Sequence, residues 1–358
     1  MIANNDLTDS IQAQVQSALD QQQALHIYGG GSKAFYGNPI KGQPLSLAGH
    51  TGIIAYEPSE LVVTVRAGTK LADLMQLLDQ HGQMLAFEPP IHTENATVGG
   101  AVAAGLSGPA RPWRGSVRDH VLGMKILFGE NQIGSFGGQV MKNVAGYDVS
   151  RVMTGALGTL GIILEVSLKV MPKPASELTL ALDMPDKDAH ELCMALRASA
   201  MPLTATCYYD GCLYLRFSGN PENLDITTRQ VGGERIAEPD EFWTSLRDQT
   251  HEFFMQYDRP LWRLSLPPAT ASINSRLEGS SLMEWGGAQR WVYSNIPVNL
   301  IRSIAEKHKG HATVYRGKVP GVNPFHPLTQ ELSQLQLRLK ETFDPHGIFN
   351  RGRMYQDW

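Results

Sequence analysis

Three consecutive glycines, Gly29, Gly30 and Gly31, are the feature that most constrains this chain. They follow the apolar run 24–28 and precede Ser32 and Lys33, so a short strand is predicted to lead into a tight turn. Because glycine has no Cβ, such a turn can direct several backbone N–H groups at one point, which suits an anionic phosphate. The alternative is an ordinary turn without a ligand, and the glycines alone do not exclude it.

Length and composition indicate a folded protein with room for two domains. The chain has 358 residues, of which 42% are hydrophobic and 18% are charged. Its 35 glycines are concentrated before residue 162, which favours a backbone-lined ligand site in the first half. A net charge of −4 argues against nucleic acid or a polybasic membrane surface as the main partner.

The sequence predicts a reduced, cytoplasmic protein. Residues 1–10 are polar and acidic, unlike a secretory signal, and no apolar stretch is long enough to span a bilayer. Cys193, Cys207 and Cys212 form no CxxC pair and no metal-ligand spacing. Any iron–sulfur cluster therefore belongs to another chain.

Hydrophobic periodicity and helix-start residues predict the main elements. They are helices over 7–20, 70–80 (begun by Thr69) and 149–154 (begun by Asp148), strands over 25–28, 53–56, 61–67, 121–128 and 160–170, a long loop over 97–116, and a C-terminal helix begun by Thr329 with Leu328, Leu332, Leu335, Leu339 and Phe343 on one face. Pro172 and Pro174 mark a domain boundary, beyond which strands and helices alternate in an α+β manner.

Further small-residue segments follow the glycine turn in order. They are Ala96–Gly105 after Pro89 and Pro90, Arg114–Gly123, Lys142–Asp148, Gly158–Ile163 and, at the end of the chain, Asp344–Arg353. Small residues let a backbone approach a planar or phosphorylated ligand closely, although the Ala-rich run would also serve tight helix packing.

Taken together, these motifs resemble the FAD-binding domain of the p-cresol methylhydroxylase and vanillyl-alcohol oxidase (PCMH-type) superfamily over about residues 24–174. Within it, most of the chain is similar to the family of FAD-binding E subunits of bacterial glycolate oxidase. The resemblance implies an α+β fold in which residues 1–174 form a two-subdomain FAD-binding domain, 175–322 a smaller α+β cap domain, and 323–358 a C-terminal segment whose helix returns to the FAD domain. One departure is Arg351, where the family usually has proline.

The resemblance also implies the cofactor-binding residues. Gly29, Gly30, Gly31 and Ser32, with the Thr97, Val98, Gly99 and Gly100 turn, would hold the pyrophosphate of FAD, and Tyr28, Pro89 and Pro90 border these loops. Gly105, Ser107, Gly115 and Ser116 would line the flavin channel, Gly161 and Ile162 would place backbone groups against a ring, and Asn350 and Arg353 would close the site. Asp119 and Asp148 would fix loops.

Charge requirements add candidates from the residues themselves. A diphosphate favours a cation, which Lys33 or Arg118 could supply. A donor near the flavin N1 raises its potential, and Lys142 and Arg353 are candidates for that role. The glycine loop contains neither histidine nor cysteine, so the FAD is predicted to be non-covalent.

A substrate site for 2-hydroxy acids is not evident. Related dehydrogenases carry a His-x-Gly-Asp-Gly-Asn-x-His motif that helps to bind a divalent metal, and a later Glu-His-Gly. The comparable stretch 308–317 lacks the Asp, the Asn and the second His, so His311 is expected to be structural, and His326 stands apart from any motif. No metal site and no catalytic residue is predicted.

These observations favour a FAD-carrying oxidoreductase subunit of a multi-subunit glycolate oxidase. The acid would be oxidised on a sister flavoprotein subunit, an iron–sulfur subunit would receive electrons, and the complex could attach to the inner face of the membrane. Two alternatives stay open: an autonomous FAD-dependent D-2-hydroxy-acid dehydrogenase, and a flavin-free assembly subunit. The aromatic run around Trp285 and Arg290–Tyr293 is either a docking face or the cap's aromatic core.

Other classes of enzyme fit poorly. A nicotinamide-binding fold needs G-x-G-x-x-G opening a helix, whereas Gly31 is followed by Ser32–Pro39, which does not continue as one. Gly68 is followed by Thr69 and Lys70, the reverse of the phosphate-binding loop order. Gly105–Gly108 lacks the spacing of a nucleophile elbow.

Overall fold

The computed structural model describes residues 2–138, 148–273, 277–356 and 358. The chain divides into two compact units, one built from residues 1–106, 115–172 and 327–358 and the other from 107–114 and 173–326. Residues 107–114 thus belong to the second unit, although the predicted FAD-binding domain, 1–174, includes them. The division of the chain at residues 174 and 322 stays a prediction.

The first unit combines a β-sheet with short helices. Its strands are β1 (Leu25–Tyr28), β2 (Gln43–Ser46), β3 (Ile53–Glu57), β4 (Val62–Arg66), β5 (Gln83–Met84), β6 (Val121–Leu127), β7 (Ile133–Gly137), β8 (Ile162–Lys169) and β9 (Met171–Pro172). Its helices are α1 (Thr8–Asp20), α2 (Leu71–Gln80), α3 (Val98–Ala104), α5 (Val117–His120), α6 (Val149–Met153) and α11 (Gln330–Phe343).

A five-stranded antiparallel sheet organises this unit in the order β3-β4-β8-β6-β7. The strands at its centre are rich in β-branched residues and are almost wholly buried; Val65 in β4 and Val166 in β8 are 0% exposed. Helices α2 and α3 pack with β4 and β8 in one apolar cluster. A second cluster joins α1, β1 and β2 to the C-terminal residues Ile348 and Phe349.

Strand β1 is the element that leads to the glycine turn. It pairs in parallel with β2, and its first residue, Leu25, also pairs in parallel with Phe349. The C-terminal segment therefore lies beside β1 and extends the β1–β2 sheet.

The second unit is built on an eight-stranded antiparallel sheet in the order β13-β10-β12-β11-β15-β16-β14-β17. Its strands are β10 (Ser176–Asp183), β11 (Leu203–Tyr209), β12 (Cys212–Gly219), β13 (Glu234–Arg235), β14 (Leu261–Ser265), β15 (Ser281–Glu284), β16 (Gln289–Tyr293) and β17 (His311–Arg316). Its helices are α4 (Arg111–Arg114), α7 (Asp186–Arg197), α8 (Pro221–Val231), α9 (Pro239–Asp248) and α10 (Val298–Lys307). The predicted α+β class is confirmed for the chain.

The predicted loop over 97–116 is wrong in two places. Residues 98–104 form α3, because Thr97 Oγ1 accepts a hydrogen bond from the Gly100 N–H at 3.2 Å and starts the helix despite its two glycines. Residues 111–114 form the short helix α4. Helix packing, weighed above as the alternative use of the Ala-rich run, is confirmed by the burial of Ala101 and Val102.

Most of the predicted caps are confirmed. The side chains of Asp148 and Thr329 accept hydrogen bonds from the amides of Arg151 and Leu332, respectively. The exception is Thr69, whose hydroxyl accepts from the Gly52 N–H at 3.0 Å while α2 begins after Lys70.

Burial distinguishes two apolar surfaces. On α11, Leu332 and Leu335 are 48% and 53% exposed, so the predicted leucine stripe is only partly buried. Of the two interpretations of the aromatic run in the second unit, the aromatic core is confirmed, since Trp291 and Tyr293 are 5% and 1% exposed. Within the described residues, no helix is long and apolar enough to cross a membrane.

The burial of individual leucines gives a stability prediction. Leu164→Ala, at a position that is 0% exposed in β8, should lower the free energy of unfolding by about 2–5 kcal/mol, because it leaves a cavity in the core. Leu332→Ala on the exposed part of α11 should change it by about 0.5 kcal/mol or less. Urea denaturation of both variants checks this, and equal losses would contradict the described burial.

Candidate functional site

The glycine turn after β1 has no room for side chains at two of its positions. A Cβ on Gly30 would lie 1.5 Å from the carbonyl oxygen of Asn95, and one on Gly29 would lie 2.2 Å from Thr97 Oγ1. Gly31 has open space but a φ of +68°, which disfavours other residues on backbone grounds. Three consecutive glycines are therefore required by the close Thr97 side chain at Gly29, by the close Asn95 backbone at Gly30 and by backbone conformation at Gly31.

This turn leaves several backbone amides unused. Within the described chain, the N–H groups of Gly29, Gly30, Gly31 and Ser32 donate no hydrogen bond to protein atoms. Successive free amides in a turn form a concavity that binds anions. The start of α3 differs, because its amides at Val98, Gly99 and Gly100 bond to Thr69, Ala67 and Thr97. The first glycine cluster therefore has amides free for an anion, whereas the amides at the start of α3 are already used by the protein.

The turn opens into a cavity of about 210 Å³ within the first unit. Small residues form much of its wall, and two cationic side chains, Lys33 and Arg353, border it. Its lining comprises His26, Ile27, Tyr28, Gly29, Gly30, Gly31, Ser32, Lys33, Ala34, Ile40, Leu47, Ala67, Thr97, Gly99, Gly100, Ala103, Ala104, Leu157, Gly158, Gly161, Ile163, Asn350 and Arg353.

The structure brings twelve of the predicted site residues together around this cavity: Tyr28, Gly29, Gly30, Gly31, Ser32, Lys33, Thr97, Gly99, Gly100, Gly161, Asn350 and Arg353. The remaining nine do not line it: Pro89, Pro90, Val98, Gly105, Ser107, Gly115, Ser116, Arg118 and Ile162. A role for these nine at the flavin stays a prediction. Lys142 lies outside the described residues.

Several of the residues outside the cavity have local structural contacts. The Pro90 carbonyl accepts a hydrogen bond from Lys33 Nζ at 3.1 Å. Ser116 and Asp119 form a capping box at the start of α5, in which Asp119 accepts from the Ser116 amide and hydroxyl. Asp119 and Asp148 thus fix local backbone, as expected.

Sequence reasoning missed part of the wall. His26 lies on the same side of β1 as Tyr28, and their rings are 5.3 Å apart between centroids. Burial, and next the charge of Arg353, lowers the pKa of His26, so its imidazole is neutral at physiological pH. The two-residue period of β1 could have indicated His26, whereas Leu157 carries no sequence signal.

Asn350 joins three segments of the wall through its side chain. Its Oδ1 accepts from the Ile27 N–H at 2.7 Å, and its Nδ2 donates to the carbonyls of Ile27 and Leu157 at 3.1 and 2.8 Å. A Cβ on Gly158 would lie 2.8 Å from Nδ2, so that glycine leaves the room the amide needs. Asn350 thus positions the cavity wall, with its polar atoms engaged by the protein.

Arg353 is a buried cation beside the glycine turn. Its guanidinium donates to the carbonyls of Asn38, Lys33 and Ala34 at 2.8, 3.1 and 3.3 Å and is 8% exposed. Among the described residues no carboxylate forms an ion pair with it. Burial lowers the pKa of this group, but an arginine stays protonated in proteins. The positive charge therefore lacks compensation and favours an anionic ligand.

The histidines of the second unit are not arranged as metal ligands. His326 Nε2 lies 3.2 Å from Glu306 Oε1, and its Nδ1 accepts from the Ala312 N–H at 3.3 Å, so it has structural partners. The described chain contains no group of three or more metal-ligating side chains.

Similar proteins identify the family. A glycolate oxidase subunit GlcE from Escherichia coli is 42% identical over 357 residues, which is 100% of both chains. The chain belongs to the GlcE family of glycolate oxidase subunits. A sequence profile described as an FAD binding domain matches residues 5–137, which include the glycine turn and α3.

Other relatives cover less of the chain. A D-lactate dehydrogenase from Anaerostipes hadrus is 36% identical over 39% of this chain and 29% of its own length, and a glycolate oxidase subunit GlcD from Bacillus subtilis is 32% identical over 40% and 30%. A solved alkyldihydroxyacetonephosphate synthase superposes on 96% of this chain and 75% of its own with a TM-score of 0.66 at 16% identity, which shows a shared fold.

The Asn350 junction gives the prediction for this site. Asn350→Ala should lower the free energy of unfolding by about 2–4 kcal/mol, because it leaves the Ile27 N–H and two carbonyls without partners in a buried wall. Asn5→Ala, which removes one exposed hydrogen bond to the Gly49 carbonyl, should cost about 1 kcal/mol or less. Urea denaturation measures both, and a loss at Asn350 no larger than at Asn5 would argue against the junction.

Proposed function

We propose that this protein is the FAD-binding subunit of a multi-subunit glycolate oxidase acting on 2-hydroxy acids. It carries flavin for electron relay or assembly, and the acid is oxidised on a sister flavoprotein chain. The observation that carries the proposal is the joint placement of four unused amides, at residues 29–32, and the unpaired charge of Arg353 on one cavity. The full-length similarity to GlcE supports it.

The residues present fit FAD. The pyrophosphate carries two negative charges, and the amides of Gly29–Ser32 with Arg353 supply the donors and the cation that it requires. Away from the turn, Ala67, Gly99, Ala103 and Gly161 present small apolar surfaces that let a flat ring approach the backbone. When bound, FAD supplies a ring that accepts two electrons and passes them on.

The cofactor is held without a covalent bond in this proposal. No cysteine is among the residues described as lining the cavity, and the pKa of His26, which does line it, is lowered first by burial and then by the Arg353 charge. Trichloroacetic acid precipitation should release all the flavin into the supernatant; flavin retained in the pellet would contradict non-covalent binding.

The acid is assigned to a sister chain because the substrate half of the site is incomplete. The stretch 308–317 lacks the metal-binding residues of related dehydrogenases, and in the described chain no cluster of potential ligands replaces them. The similarity to D-lactate dehydrogenase covers 39% of the chain, too little to extend that enzyme's activity to this protein. An autonomous dehydrogenase is therefore the second candidate, favoured only by that partial match.

Electrons leave through a separate iron–sulfur subunit in this proposal. Cys193, Cys207 and Cys212 are free, and the described residues hold no group of three or more potential metal ligands, so the proposal assigns the cluster to another chain. We place the complex in the cytoplasm, with attachment to the inner face of the membrane through its partners.

The first test is the visible spectrum of the purified chain under anaerobic conditions, before and after addition of glycolate or D-lactate. We expect a flavin band that persists with either acid and bleaches with glycolate once the partner subunits are added. Bleaching in the isolated chain would establish the autonomous dehydrogenase, and a colourless chain that takes up no added FAD would overturn the flavin proposal.

The second test removes the anion site itself. Gly30→Ala should raise the FAD dissociation constant at least about a hundredfold, because its Cβ would collide with the Asn95 carbonyl and displace the amides of the turn. Gly219→Ala, whose Cβ has open space in the second unit, should leave it unchanged. Flavin fluorescence titration of the apoproteins measures both, and unaltered binding by Gly30→Ala would place the cofactor elsewhere.

A further inference from the structure

Lys340 is a buried cation that the proposed cofactor chemistry does not use. Lys340 is only 5% exposed. Its ammonium group donates three hydrogen bonds: to the Thr159 carbonyl at 2.7 Å, to Asp344 Oδ2 at 2.5 Å and to the Phe349 carbonyl at 2.9 Å. An ammonium has three hydrogens, so its capacity is filled. Burying such a group is costly unless each bond is made, so the site depends on all three partners.

The two backbone partners of Lys340 belong to different walls of the cavity. Thr159 follows Gly158, and Phe349 precedes Asn350; both Gly158 and Asn350 line the cavity. Lys340 therefore links the 157–161 turn to the C-terminal segment. Each of its two backbone partners is the sequence neighbour of a residue that lines the cavity.

Asp344 extends this fastening along the C-terminal segment. Its Oδ1 accepts from the Ile348 N–H at 3.0 Å, and its Oδ2 accepts from the Phe349 N–H at 2.8 Å as well as from Lys340. One carboxylate thus binds both amides at the end of the turn that follows α11, and Lys340 binds the same carboxylate.

The C-terminal segment in turn fixes the strand that leads to the glycine turn. The Leu25 N–H donates to the Ile348 carbonyl at 2.7 Å, and the Asn350 N–H donates to the Leu25 carbonyl at 3.1 Å. With the side-chain bonds of Asn350 to Ile27, these contacts align β1 only two residues before Gly29. A displacement at Phe349 would therefore be transmitted to the amides of the anion site.

We propose that Lys340 is a positioning residue for the cofactor site, which sets the C-terminal wall and the glycine turn in the arrangement that binds the dinucleotide. The identity of that ligand rests on the proposed function. The coupling of Lys340 through residues 348–350 to β1 does not. Lys125 offers a comparison: it forms an ion pair with Glu165 at 3.1 Å between β6 and β8 in the same unit, and it is not among the residues that line the cavity.

The coupling is tested first without cofactor. In the wild-type apoprotein, the amides of Leu25, Ile27 and Asn350 should exchange with solvent as slowly as the core amides of α2. In Lys340→Met they should exchange at least about tenfold faster, while α2 and the Lys125→Met protein are unchanged. Fast exchange of these amides in the wild type, or no acceleration in Lys340→Met, would overturn the proposal.

The cofactor measurement then separates the two proposals. Because Lys340→Met leaves a buried carboxylate without its cation, the double variant Lys340→Met/Asp344→Asn removes that charge while still lacking the bonds to Thr159 and Phe349. Both variants should bind FAD at least about tenfold more weakly than the wild type, and Lys125→Met within about twofold. An FAD dissociation constant of the double variant within about twofold of the wild-type value would overturn the positioning role. Absence of FAD binding by the wild type would overturn the proposed function and leave the exchange result to decide the coupling.

Discussion

The pairing of the C-terminal segment with β1 is the interaction on which the candidate site depends. Residues 348–350 lie beside the first strand, although more than 300 positions separate them in sequence, and Asn350 binds both polar backbone groups of Ile27. This pairing fixes the direction in which β1 enters the glycine turn. The sequence supplies the four amides of the turn, but their common orientation depends on this pairing.

Charge within the first unit is distributed according to two different needs. Lys340 has a carboxylate partner and three filled hydrogen bonds, so it stabilises backbone without offering attraction to a ligand. Among the described residues, Arg353 has only carbonyl partners, and its charge stays available to an anion. The two cations lie in the same C-terminal region, but only the second is consistent with direct recognition of a pyrophosphate.

Much of the fold could be predicted because local signals agreed with the final structure. The β-branched content of β4 and β8, the amphipathic pattern of α1 and the caps Asp148 and Thr329 act over a few residues. The prediction of a loop over 97–116 was wrong because it gave weight to Gly99 and Gly100, which weaken helix propensity, whereas the Thr97 cap and the burial of Ala101 outweigh them. Likewise, the leucines of α11 have a helical period, which cannot tell which of them meets a core.

The sequence by itself determined a turn of three glycines, whose backbone suits an anion, and the lack of a 2-hydroxy-acid motif. These are properties of residue type and short spacing: glycines without Cβ, and missing metal-binding side chains at 308–317. Only the tertiary structure decided which amides are free, that Asn350 uses its side chain on Ile27 and Leu157, and that Lys340 ties the two walls. The reason is physical: hydrogen-bond satisfaction of a buried group depends on segments far apart in the chain, and no local pattern encodes their distance.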